Sequence, residues 1–393
     1  MASFFLRWLQ PMQPRDVHEP HRVATSLELL FDLIFVVAIA SAGQQLHHAI
    51  VENHLFDSLA LYFMVFFALW WAWMNFTWFA SAYDNDDTLY RVMTMFQMIG
   101  ALIIAAGIPD AFQHRDFDVI IIGYVVMRTI LILQWLRAAQ SDPSRQGTIY
   151  RYAIGVGFIQ VGWIFFHFSP IDFSTYIFVL LVLAELAVPF FAEKYGRTPW
   201  HPHHIAERYS LLTIIVLGES IVASFNAISD AFKHHAIQTE LIFLTIGGVV
   251  SMFTMWWMYF DRQIAGRLNS HQRTFIWGYG HFFIFISIAS FGAALAAAVN
   301  VITVHAEISH YDASMIIAVT LVMYSVSLWL LHDLHFLTGL GKWFYPFTAM
   351  IILAIPLFIA HVGYCVFVMS LVYGLRLVVS KWLFKSDSVE LAH

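Results

Sequence analysis

The chain is short of the two things that most often carry chemistry in a soluble protein, cysteine and charge. Cys365 is the single cysteine in 393 residues, which excludes an intrachain disulfide and a thiolate metal cluster. Charged residues make up 12% of the sequence, against about 25% in an ordinary soluble domain. No lysine falls in the middle of a long apolar run, so a retinal-type Schiff base is unsupported. The Gly-Lys-Ser/Thr phosphate loop, the His-Glu-x-x-His zinc motif and the Gly-x-Ser-x-Gly nucleophile turn are all absent. No connection is long enough to hold a soluble domain, and there is no basic surface for nucleic acid. The opening segment, MASFFLRWLQPMQPRDVHEPHR, is interrupted by Pro11, Pro14 and Pro20 and does not read as a cleavable signal peptide.

What is present is apolar. Hydrophobic residues reach 60%, with 37 Phe and 14 Trp, and runs of about 20 residues recur throughout, enough for a helix to cross a hydrocarbon core of about 30 Å. The expected fold is all-α transmembrane, with spans near 25–48, 55–79, 89–108, 117–139, 148–168, 172–192, 204–228, 238–260, 273–301, 312–332, 344–360 and 362–384. Pro346 and Pro356 predict a short or kinked eleventh span. With the N-terminus inside, seventeen of the 20 lysines and arginines fall in inner segments, Arg208 and Arg376 among them. Only Arg115 and Lys233 fall outside, and Arg128 is mid-span. That asymmetry predicts both termini in the cytoplasm.

Twelve spans invite division into two sixes. WAWMNF (71–76) resembles MWWMYF (255–260), setting Trp73 against Trp257. Arg91 and Arg273 open spans three and nine. FDLIFVVAI (31–39) aligns with GESIVASFN (218–226), setting Asp32 against Glu219. The three offsets, 184, 182 and 187 residues, keep the same order. The expected organisation is therefore an N-terminal segment (1–24), a first six-helix repeat (25–195), a linker (196–203), a second repeat (204–385) and a tail (386–393). An even helix count per unit makes the repeats parallel.

Ionisable residues inside the membrane are costly, so function is sought there first. Glu28 and Asp32 lie four residues apart on one face of span one. Glu28 reads as an interfacial acid, and Asp32 as a buried one. Glu219 lies near the middle of span seven, between Ser220 and Gly218, the glycine being expected to allow a close helix approach. Glu185, Arg128 and His281 are mid-span. The plain structural reading is a salt bridge from Arg128 to one of the acids. One arginine cannot neutralise three carboxylates, so one acid is expected to be protonated or hydrated. The histidine clusters HPHH (201–204), KHH (233–235), QLHH (45–48) and LHDLH (331–335) fall at helix ends and read as interface residues, so no metal and no cofactor is expected. His167, His281 and His361 read as deeper, relay-like histidines.

SLELLFDLIFVVAIA in span one and HHIAERYSLLTIIVLGESIVA (203–223) in span seven resemble the two signature segments of the bacterial low-temperature-requirement A family. WWAWMNFTWFASAYDNDD (70–87) is similar to that family's second span and following loop. The resemblance covers nearly the whole chain and implicates Glu28, Phe31, Asp32, His204, Glu207, Arg208, Gly218, Glu219 and Ser220. It implies a multi-pass protein of the bacterial cytoplasmic (inner) membrane and does not settle a substrate. FDLIFVVAI also resembles the Phe-Ser-Asp opening of the endolysosomal-type potassium channels, although Leu30-Phe31-Asp32 lacks the serine.

The leading expectation is a proton-coupled transporter, not an enzyme, with its path between the repeats. Asp32 and Glu219 would be protonatable, Arg128 their counter-charge, and Glu185 and His281 secondary members. A cation channel lined by spans one and seven, an intramembrane lipid-modifying enzyme and a stress protein without transport activity are the rivals. Expected partners are membrane lipids and a small ion or solute, with a homodimer left open and nucleic acid excluded.

Overall fold

The long apolar runs become helices that start and stop where polar and turn-forming residues interrupt them. The computed structural model describes residues 10–20, 22–168, 171–233, 238–261, 271–303, 306–335 and 341–383. The expected tail (386–393), His234 and His235, and the inner-segment cations Arg7, Arg262, Arg267 and Lys385 lie outside these. Among the described residues there are twelve α-helices and no strand. They are α1 (Ser26–Val51), α2 (Leu55–Tyr83), α3 (Thr88–His114), α4 (Asp118–Ser141), α5 (Gln146–His167), α6 (Ile171–Glu193), α7 (Pro202–Lys233), α8 (Thr239–Phe260), α9 (His271–Thr303), α10 (His310–Leu331), α11 (Gly341–Ala354) and α12 (Val362–Leu383). Eleven are long and apolar enough to cross a membrane. The exception is α11, which carries Pro346 and passes into a 3-10 turn at Ile355–Leu357.

Local chemistry sets several ends. Asp87 caps α3 by accepting the Tyr90 backbone N–H at 2.7 Å, and Ser309 caps α10 by accepting that of Asp312 at 3.1 Å. Asp87 also pairs with Arg137 at the end of α4. Burial works against the Asp87 charge, but Arg137 and the backbone N–H groups of Tyr90 and Gln10 outweigh it and hold the carboxyl below its ordinary range. Asn53, Asp86 and Arg115 take left-handed conformations, with φ of 56°, 49° and 58°, at the turns after α1, α2 and α3.

Contacts divide the chain into two compact units, Met1–Ala42 with Phe63–Leu211 and Gly43–Tyr62 with Leu212–His393. Helices α1, α2 and α7 each contribute residues to both. In the first unit α3 packs on α4, α4 on α5 and α5 on α6. Gly100 and Gly123 face each other at the α3–α4 crossing, where a Cβ on Gly123 would lie 2.6 Å from the Gly100 carbonyl. In the second unit α9 is the core. Its Ala-rich stretch Ala293–Val299 is buried throughout, and α8, α10, α11 and α12 pack around it and one another. Large apolar side chains such as Phe158, Phe165 and Phe190 face outward, as a lipid-facing surface requires.

Candidate functional site

Two acids four residues apart on α1 point the same way because a helix turns once every 3.6 residues. In the first unit that face meets the start of α7, where His204 and Arg208 are also four apart. Arg208 lies between the acids. Its Nη2 donates to Asp32 Oδ1 at 2.5 Å and its Nε to Asp32 Oδ2 at 3.2 Å, while its Nη1 sits 3.0 Å from Glu28 Oε1. Trp73 on α2 donates its indole N–H to Asp32 Oδ1 at 2.7 Å. His204 Nε2 lies 3.2 Å from Glu28, and Thr25 donates to Glu28 from its backbone N–H at 2.8 Å and its hydroxyl at 3.0 Å. Glu28, Asp32, His204 and Arg208 are all fully buried. Phe31, between the acids, stacks on Phe76 at 3.8 Å between ring centroids and closes one side. Glu207 turns outward and accepts the Ala24 backbone N–H at 3.1 Å.

The site contains two carboxylates, one guanidinium and one imidazole. With the imidazole neutral, these four residues sum to one negative charge; the buried Arg22 and Asp84 lie within electrostatic reach of His204 and Glu28. Buried charge is tolerated only when paired, so a proton or cation at these four residues would complete their balance.

A second buried pair lies elsewhere in the first unit. Arg128 on α4 donates to Glu185 on α6 at 2.7 Å and to the Tyr124 hydroxyl at 3.0 Å. Trp71 and Trp163 donate their indole N–H groups to Glu185 at 2.8 and 3.0 Å. Here one acid meets one base, and the charge closes.

The residues of both networks fall within one recognisable family. The family model described as bacterial low temperature requirement A protein (LtrA) matches residues 23–380. The chain belongs to this family. An uncharacterized protein of Rhizobium meliloti (strain 1021) is 25% identical over 270 residues, 66% of this chain and 62% of that protein. The chain thus spans less than two thirds of the length of that relative. No solved structure matches. As an LtrA protein with these apolar helices, it is a multi-pass membrane protein.

Several expectations for this LtrA chain need correcting. Glu28 is not an interfacial acid, because α7 and the segment before α1 cover it completely. Arg128 is the counter-charge of Glu185 rather than of Asp32 or Glu219. Arg208 and Arg376, placed among the inner-segment cations, are buried within α7 and α12. Glu219 lies in the second unit, half-buried, and makes no hydrogen bond or ion pair among the described residues. Gly218 is not a close-approach glycine, since a Cβ there would meet nothing within 4 Å. The close contact belongs to its neighbour. Ser220 donates to the Ile288 carbonyl at 2.9 Å, and a Cβ on Gly292 of α9 would lie 2.7 Å from Ser220 Cβ.

Of the three deeper histidines, only His281 is buried in this LtrA protein. It accepts at Nε2 from the Tyr259 hydroxyl at 2.9 Å when Nδ1 donates to the Trp277 carbonyl at 2.7 Å, which fixes one neutral tautomer. His167 is at the end of α5 beside Asp118, and His361 precedes α12 with its side chain 61% exposed. Sequence reasoning named Arg208 as an inner-segment cation and through the family motif, and missed it as the partner of both acids. The spacing His204-x-x-x-Arg208, matching Glu28-x-x-x-Asp32, was the available signal.

Proposed function

We propose that this LtrA protein is a proton-coupled secondary transporter of the bacterial inner membrane, with its path running along α1 and α7. The observation that carries this reading is the charge imbalance of the Glu28–Asp32–His204–Arg208 network. A proton arriving at Asp32 or His204 changes how many charges hold α1 against α7, and a two-state contact of that kind is what coupling needs. Glu219, with no cation beside it, supplies a second protonatable carboxylate on α7. The Arg128–Glu185 pair is balanced and fixes α4 against α6.

We also infer that residues 25–195 and 204–385 are parallel six-helix repeats. Helix pairing supports this. In the first half α2 meets α6 through Trp71 and Glu185, and in the second α8 meets α12, with Gly247 against Phe367. The close pair α3–α4 has its counterpart in α9–α10.

The test uses the full chain in liposomes with an entrapped pH dye and imposed Na⁺ or K⁺ gradients. Wild-type protein should move protons at a saturable rate, and Asp32→Asn and Glu219→Gln should each abolish that coupled flux. Wild-type rates in both variants would overturn the assignment. Unitary currents in planar bilayers would replace the carrier with a cation channel.

A further inference from the structure

The sequence offered histidines in runs, and the fold assembles a different set from single residues far apart. At the ends of α8, α10 and α12 in the second unit, Glu240, His310 and His361 converge. His310 Nδ1 lies 3.3 Å from Glu240 Oε1, and His361 Nδ1 lies 3.4 Å from Glu240 Oε2. The three ligand atoms all fall within 4.8 Å of one another, and the two imidazole centroids are 5.4 Å apart. A tetrahedral zinc with bonds of about 2.0–2.1 Å to nitrogen and oxygen places neighbouring ligand atoms about 3.3 Å apart; each histidine has that spacing to one Glu240 oxygen, His310 to Oε1 and His361 to Oε2, so one imidazole shifts slightly to share a single oxygen.

The backbone is shaped to keep this arrangement. Gly363 donates its N–H to Glu240 Oε1 at 3.1 Å. A Cβ at Gly363 would lie 2.2 Å from the Glu240 carbonyl oxygen and 2.5 Å from its Cγ, so the start of α12 can seat on Glu240 only as glycine. Val362 donates its N–H to His310 Nδ1 at 3.3 Å. In the tautomer that accepts from Val362, that nitrogen presents a lone pair and faces the Glu240 Oε1 acceptor 3.3 Å away. A cation between them turns this repulsion into coordination. The long Val362 contact is the one that must open for it.

We propose that Glu240, His310 and His361 bind a divalent transition cation of the zinc class. The two imidazoles and the carboxylate are three ligands of the kind zinc takes, and the exposed side of His361 leaves a fourth position for water. The bound cation ties the first turns of α8, α10 and α12 together. This site is independent of the α1–α7 network and does not rest on the transport reading.

The test uses full-length protein without a polyhistidine tag, stripped with chelator in detergent and titrated with Zn²⁺ by calorimetry and with Co²⁺ by visible absorption. One Zn²⁺ per chain should bind, and Co²⁺ should give the intense bands of a low-coordinate N/O site. His361→Ala and Glu240→Gln should each weaken Zn²⁺ about tenfold or more and remove the Co²⁺ bands. His203→Ala, at another exposed histidine, should change neither. Because the His361 side chain is largely exposed, its alanine variant tests the site without disturbing the fold. Unchanged Zn²⁺ affinity and Co²⁺ spectrum in His361→Ala would overturn the proposal.

Discussion

At Arg208 the desolvation of a guanidinium is offset by two carboxylates of α1 and by the indole-bound geometry of Asp32. Just beyond the end of α2, Asp84 is in the opposite situation. It is only 2% exposed, and its Oδ1 accepts the Asp86 backbone N–H at 2.8 Å. Burial pushes its carboxyl up to about 6, the nearby Glu28 charge pushes the same way, and the Asp86 hydrogen bond and Arg22 only partly oppose them. Between about pH 4 and 6 the folded chain holds a proton at Asp84 that the unfolded chain has released. Stability therefore falls as pH rises through that window, and the loss is complete above it. Asp84→Asn keeps an oxygen for the Asp86 N–H and removes the charge. The variant should be more stable than wild type at pH 7, on the order of 2–3 kcal/mol, with the difference vanishing below pH 4. Melting of both proteins in detergent across pH 4–7.5 checks this, and a constant offset at all pH values would refute it.

At the scale of helices, the α3–α4 crossing depends on absent side chains rather than on attractive ones. Glycine stripes let two backbones approach so that dispersion and weak C–H contacts act over a long seam. A Cβ on Gly123 would meet Gly100 O at 2.6 Å and Ile104 N at 2.8 Å. Both are backbone atoms, so the helices themselves must separate. Gly123→Ala should thus destabilise by about 1–3 kcal/mol, although alanine is the better helix former by about 1 kcal/mol. Gly218→Ala is the matched comparison, because its Cβ would enter open space and only the helix-propensity gain remains. Thermal melts should move in opposite directions, and a stabilised Gly123→Ala would contradict the close crossing.

The helices themselves were readable because a membrane span is a property of one continuous stretch. Expected and observed ends differ by up to six residues, and the short α11 followed from Pro346 and Pro356. The network was less readable because it depends on which stretches meet. Glu28 sits in the first turn of its helix and Arg208 in the second turn of its own, near helix ends where a charge resembles any interfacial one. Their burial comes from the mutual cover of α1, α2 and α7, which composition does not encode. The Glu240–His310–His361 cluster was hidden for the same reason, since its members lie 51 or more residues apart in the sequence.

For the whole molecule, the side of each loop hinges on whether α11 crosses. Its 14 residues and the 3-10 turn of 3 rise about 27 Å together at 1.5 and 2.0 Å per residue, close to the hydrocarbon thickness of about 30 Å. The contact of His361 with Glu240 independently puts the start of α12 at the same end of the second unit as the start of α8. The chain between α10 and α12 therefore travels from one end of that unit to the other, and α11 is expected to cross. Cysteine labelling can test this without removing the native thiol, because Cys365 is fully buried. Glu52→Cys, Glu307→Cys and Phe358→Cys are exposed positions that should react with an impermeant maleimide in intact cells. Ser144→Cys and Lys194→Cys should react only after permeabilisation. Labelling of Phe358→Cys with the second group would make α11 a re-entrant segment, and reversal of both groups would invert the expected orientation.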